Sequence, residues 1–253
     1  DAIEFAARIL RQYRGFHMVR RYTEAIDRIL DVVDVRRILS MEEFEEYVQF
    51  DTPVYMDGSG LLEPVIRAIK DKQVLSITHQ SFSKTEPVTR VVHPYLLKEY
   101  KNRWYLVGLD EQENEIRTFG LDRIKKIDLT PGPSPTGEGS ASLGAIPYMN
   151  VNFDPKAYFK HTIGIIAPQS KPPLLKIEFT KQQAQYLITQ PIHSSQKVLK
   201  ETKEMVVFSF AVHPTYEFIS LLLGYRDKIK VLSPVWLKKS MKELLEQMID
   251  KYQ

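Results

Sequence analysis

The chain contains no cysteine in its 253 residues, which excludes disulfide staples, thiolate catalysis and cysteine-ligated zinc sites. It also lacks any apolar run near the ~18–20 residues that crossing a bilayer requires. Its start, DAIEFAARILRQYRG, has none of the basic, apolar and small-residue regions of a signal peptide. A soluble, cytoplasmic protein with no membrane partner is expected. Charge of one sign is scarce too, since a net +3 does not by itself announce a nucleic-acid partner, and the basic surplus falls after residue 172. Phosphate-cradling loops are missing: dense glycine occurs only in PGPSPTGEGSASLG (131–144), with no Lys-Ser or Lys-Thr behind it. His17, His79, His93, His161, His193 and His213 show no HExxH or paired-ligand spacing, and no GxSxG elbow occurs. No metal, no cofactor and no catalysis are expected.

What is present reads as two domains with helical and linker segments around them, the number that this length suggests. Because the first residue is Asp1, the chain is read as a piece of a longer one. Ile3, Leu10 and Tyr13, then Tyr22, Ile26, Leu30 and Val33, recur at helical spacing, and Ser40 with Glu43 makes a capping box. Residues 1–60 are therefore expected to form a helical linker of two or three helices ending at the break Asp57-Gly58-Ser59-Gly60. Leu62, Val65, Ile66 and Ile69 mark one face of a further helix. Short alternating runs at Val74–Gln80, Thr89–Tyr100, Arg103–Leu109, Glu115–Gly120 and Arg123–Leu129 then predict five antiparallel strands, which fit a small barrel over 61–130.

Residues 131–171 are expected to be a Pro/Gly/Ser-rich linker and connecting segment. Beyond them, 172–253 reads strand Leu174–Phe179, helix Lys181–Ile188 capped by Thr180 with Gln183, and strands Gln196–Thr202 and Glu204–Val212. Helix Thr215–Leu223 and strand Lys228–Leu232 complete the set. The order β-α-β-β-α-β predicts a ferredoxin-like extension. A final helix is expected to start with Ser233 as cap and Pro234 at its first position, burying Leu237, Met241, Leu244, Leu245 and Met248. The fold class is thus α+β.

The richest stretch is Arg90–Asp128, where arginines alternate with rings. Tyr95, Tyr105, Arg117, Phe119 and Arg123 form a basic-aromatic set of the kind an anionic, base-bearing ligand needs: guanidinium groups fork onto phosphates and rings stack on bases. The same pattern also fits a plain core of Trp104, Leu106 and Phe119 with Arg123 paired to Asp122 or Glu115. Alternation puts Arg117 and Phe119 on one face; if that face is the core, Arg117 must find a buried carboxylate.

Trp104-Tyr105-Leu106, with His93-Pro94-Tyr95 upstream and Arg117-Thr118-Phe119 and Asp122-Arg123-Ile124 downstream, resembles the WYL-domain family of bacterial transcriptional regulators. Pro191-Ile192-His193-Ser194-Ser195-Gln196 and Val231-Leu232-Ser233-Pro234 resemble the extension that accompanies such domains. The resemblance implies an Sm-like small β-barrel that senses a nucleic-acid or nucleotide ligand and controls DNA binding through an N-terminal winged helix missing from this chain. It also implies that residues 1–50 link that domain to the sensor, and that Tyr158, Phe159 and Ile163 of the connecting segment lean on one domain. It adds His93, His193, Gln196 and Arg226 as candidate ligand contacts, while His79 and Ser83 depart from the tyrosine and small polar residue common in the family. A homodimer formed through sheet edges and the last helix, without ligand, is the alternative reading, and an RNA-binding accessory protein is another.

Overall fold

The structure, a computed structural model, describes residues 59–82, 85–130 and 146–253. The helices expected over 1–50 and the linker 131–144 lie outside the described residues. The chain divides into two compact units, Asp1–Val151 and Asn152–Gln253. Each combines helices with an antiparallel sheet, so the class is α+β.

In the first unit, helix α1 (Leu62–Lys70) precedes strands β1 (Leu75–His79), β2 (Val88–Tyr100), β3 (Arg103–Asp110), β4 (Glu115–Gly120) and β5 (Ile124–Leu129). The hairpin between β2 and β3 turns on Lys101 and Asn102, both at positive φ, the backbone that a two-residue turn matched to strand twist demands. The sheet order is β4-β3-β2-β1-β5. A closed barrel is not what forms, because β4 and β5 each pair with one neighbour only. The sheet is nevertheless curled. Laid flat, its outer strands would stand about 19 Å apart at ~4.8 Å per step, whereas the turn Leu121–Arg123 joining them reaches roughly 14 Å.

Side-chain alternation assigns the concave face. Leu75 pairs with Val92, Ile77 with Arg90, Val92 with Asp110, Leu106 with Phe119 and Gly108 with Arg117, and cross-strand partners share a face. Leu75, Ile77, Val92, Leu106, Phe119, Leu121 and Ile124 make the core with Leu62, Val65 and Ala68 of α1. Apolar residues thus fill part of the concavity, and Arg90, Asp110 and Arg117 occupy the same face beyond them.

In the second unit, Asp154 caps the short helix α2 (Pro155–Tyr158) by accepting from the Lys156 N–H at 2.9 Å. Tyr158 meets Phe159 edge-on, and Ile163 packs on the unit's core. There follow β6 (Leu174–Thr180), α3 (Lys181–Thr189), β7 (Lys197–Glu201), β8 (Met205–Ala211), α4 (Tyr216–Gly224), β9 (Ile229–Ser233) and α5 (Val235–Asp250), with sheet order β7-β8-β6-β9. Leu175, Ile177 and Phe179 of β6 and Val206, Phe208 and Phe210 of β8 face Leu187, Phe218 and Leu222 of the helices. The Thr180 hydroxyl accepts from the Gln183 N–H, the expected cap of α3.

Two expectations for α5 fail. Ser233 pairs with Lys176 as the last residue of β9, so Pro234 holds the N-cap position instead. Only Leu237 and Met241 are buried; Leu244 is half-buried, while Leu245 and Met248 are exposed. The helix continues past the small sheet beneath it, and its apolar stripe outruns the surface available to cover it. At the other edge of the sheet, β7 is exposed along its whole length.

Candidate functional site

The mouth of the curled sheet concentrates charge on the concave face. Arg90 Nη1 donates to Asp110 Oδ2 at 2.7 Å and to Glu113 Oε1 at 3.1 Å. Arg117 Nη1 stands 3.7 Å from the same Asp110 oxygen and 3.4 Å from Glu113 Oε1. Asp110 is completely buried, and its Oδ1 also accepts from the Gln112 N–H. Arg117 therefore does face the core side, and Asp110 is the buried carboxylate that this requires.

Beside this network lies a second group. His79 stands edge-on to Phe119 with ring centroids 5.5 Å apart. Arg123, in the turn Leu121–Arg123, places its guanidinium carbon 5.3 Å from the centre of the exposed Phe82 ring. Its Nε is buried and has no hydrogen-bond partner among the described residues, as is Asp122 Oδ1, 3.7 Å away. The turn packs this closely because residue 120 is glycine: a Cβ there would meet Asp122 Oδ1 at 2.5 Å and Arg123 Nη2 at 2.7 Å.

Burial, then Arg123 and Arg90, lower the pKa of His79 against an opposing pull from Asp122. The ring is thus kept neutral between two cations. Burial, helped by His161 and opposed by a backbone bond to Lys160, lowers His193 as well. An unfolded chain takes up these protons near the ordinary value of about 6.5, the folded chain only at lower pH. The stability these histidines contribute is present above that value and lost as pH falls below it. Melting temperature is expected to drop between pH 7.5 and pH 5, and to drop less in His79→Phe. An identical pH profile in that variant would remove His79 from the account.

The candidate residues divide between places. Arg117, Phe119 and Arg123 come together at the concave mouth. His93 and Tyr105 lie on the opposite face, His93 opposite Leu109 and Tyr105 opposite Lys98. Both are buried. His93 Nδ1 accepts from the Met149 N–H at 3.0 Å, so Nε2 carries the proton and donates to Glu111 at 2.9 Å. Tyr95 sits where the β2 register shifts, and its hydroxyl donates to the Met149 carbonyl. Burial first, then Tyr148, pushes its pKa up to about 12. Tyr148 in turn donates to the Pro94 carbonyl. These groups clasp residues 148–149 to β2.

In the second unit, His193 Nδ1 accepts from the Ser195 N–H, and the Ser195 hydroxyl oxygen accepts from the Ala211 N–H. Gln196 accepts from the Ile192 N–H and donates to the Leu187 carbonyl. This polar cluster ties the loop to the end of α3 and to β8. Arg226 is exposed, at φ 56°.

Sequence reasoning did not include Arg90, His79 and Phe82 among the candidates. The signal was available for the first two: counting alternate residues from Leu75 reaches His79, and Arg90 is the cation in the core-facing phase of β2.

A curled antiparallel sheet with arginines at its mouth, followed by a unit of helices on a four-stranded antiparallel sheet, defines a two-part α+β chain with no recognisable catalytic constellation among the described residues. The WYL domain family matches residues 60–129 and the WCX domain family residues 171–249. The chain thus carries a WYL domain followed by a WCX domain. Protein PafB of Mycobacterium tuberculosis is 39% identical over 79 residues, which are 30% of this chain and 23% of that protein. The Mycobacterium bovis PafB matches equally. Two solved structures align over most of the chain at low similarity. One is proteasome accessory factor B/C (PafBC) of Arthrobacter aurescens, with 15% identity, TM-score 0.31, and 79% of this chain against 28% of that one covered. The other is a CRISPR Cas-related protein, with 16% identity, TM-score 0.48, and 78% against 52% covered.

Proposed function

We propose that this chain is the ligand-sensing region of a WYL-type transcriptional regulator, and that the mouth of the first sheet binds single-stranded nucleic acid or a nucleotide. The observation that carries this reading is the pairing of a partly unsatisfied guanidinium, Arg123, with an exposed ring, Phe82, beside two further arginines. A phosphate competes with the exposed Glu113 carboxylate for Arg90 and Arg117, and a base stacks on Phe82. The strand order β4-β3-β2-β1-β5 in a curled sheet supports an Sm-like sensor over 61–130. The order β7-β8-β6-β9, with helices after β6 and β8, supports a ferredoxin-like extension over 172–253. In this reading residues 1–60 and 131–171 are connectors, and a DNA-binding domain in the whole protein receives the signal as a shift between two populations.

The test is fluorescence anisotropy with labelled single-stranded and duplex oligonucleotides across a salt series. Charge-assisted contacts are worth about 1.5–3 kcal/mol each. Arg117→Ala with Arg123→Ala should therefore weaken single-strand binding by roughly two to four orders of magnitude and flatten the salt slope by about 1.4. Affinity unchanged in the double variant ends this assignment. Self-association is a second reading, supported by the exposed Leu245, Met248 and Ile249 along α5; it requires a mass that rises with concentration and ignores oligonucleotides.

A further inference from the structure

A cleft of about 270 Å³ opens in the second unit between the end of α4, strand β9 and helix α5. Its floor is aliphatic: the buried Leu222, Val231 and Met241, with the less buried Leu223 and Ile229 and the exposed Leu245 also lining it. Its rim is cationic: Arg226, Lys238 and Lys242. Lys230 alternates with the buried Val231, so its ammonium lies on the other face of the sheet, opposite Glu178. No acidic and no aromatic residue lines the cleft. Of the three cations, Lys242 meets Glu246 at 3.4 Å, and Arg226 lies beside Asp227, which Lys228 already holds. Lys238 has no ion pair among the described residues.

This lining selects its occupant. A floor without rings offers a base nothing to stack on, and with no polar side chain in it the floor has nothing to orient heteroatoms. The volume falls below the ~300–1,000 Å³ of drug-sized sites and is far too small for a peptide helix. What fits is a flexible hydrocarbon tail ending in one anionic group, with the tail on the leucines and the anion between ammonium groups. We propose that the cleft binds a medium-chain fatty carboxylate, a second effector site that does not rest on the reading of the sheet mouth.

Isothermal titration calorimetry of the whole chain with sodium decanoate below its micellar concentration tests it, with hexanoate and decanol as comparisons. Each buried methylene is worth roughly a fourfold change in affinity. Hexanoate is therefore expected to bind at least a hundredfold more weakly, and decanol at least tenfold more weakly for want of the charge. Lys238→Gln with Lys242→Gln, both at exposed positions, should cost tenfold or more in decanoate affinity while the circular dichroism melt stays in place. Absence of decanoate binding overturns the proposal, as does equal affinity in the double variant or for decanol. Displacement of decanoate by adenosine monophosphate, or binding only to phosphatidylglycerol vesicles, overturns it too. Loss of oligonucleotide binding in parallel assays with decanoate affinity intact supports it and counts only against the sheet-mouth reading.

Discussion

Asp110→Ala lowers the stability of the first unit by about 3–5 kcal/mol, the expected cost of removing one member of a buried ion pair. The carboxylate is fully buried and accepts from Arg90 at 2.7 Å, while its second oxygen holds the Gln112 N–H. Without it the partly buried Arg90 keeps only Glu113, a surface partner worth less than about 1 kcal/mol. Replacing the pair together, Arg90→Met with Asp110→Leu, should recover most of the loss, because two apolar groups of similar volume leave no charge stranded. Urea unfolding measures both. A loss below about 1 kcal/mol for Asp110→Ala would mean that water already reaches the pair and that the mouth is wetter than its geometry indicates.

Gly108→Ala is the second large effect, at about 3 kcal/mol, the upper part of the range for overpacking a tight interior. A Cβ on residue 108 would sit 2.4 Å from the His93 carbonyl oxygen and 2.7 Å from Val92 Cγ1. The nearest obstacle is backbone, so a side chain cannot simply rotate away. β2 would have to part from β3 where His93 is clasped by Glu111 and Met149. Thermal melting reads the loss, and amide exchange along the β2–β3 ladder locates it. A melting temperature equal to that of the parent chain rules out the close approach.

Both sites explain why the strands were legible and the grouping of candidate residues was not. Alternation of apolar residues marks Leu75 and Ile77, Leu175 and Ile177 as inward, and the strands fall within a residue or two of where periodicity puts them. Alternation fails where the register slips. β2 shifts between Pro94 and Leu96, so the inward phase of Val92 and Pro94 passes to Leu97 instead of Leu96. Its local signal is Pro94, which has no N–H to give the ladder and is tolerated inside a sheet chiefly at bulges. His93, Tyr95 and Tyr105 group with Arg117 by residue type, whereas His93 lies out of phase with Val92 and Tyr105 out of phase with Leu106, so both face the other way.

The need of Arg117 for a buried carboxylate was readable; that the partner is Asp110 depended on strand pairing. In α5 the 3.6-residue period identified an apolar stripe but not the length of surface beneath it. Ser233, a sound cap by type, was claimed by the ladder with β6.

The bare outer strand β7 sets a limit of a different kind. Val198 and Leu199 stand about half exposed there, and only one side of the strand is hydrogen-bonded. Lys197 and Lys200 beside them, and the register slip between Val198 and Lys200, keep an identical strand from docking. Association through this edge is thus opposed by two ammonium groups at one margin. Salt that screens them, or acetylation that neutralises them, brings the chain nearer to precipitation while leaving its folding equilibrium almost untouched.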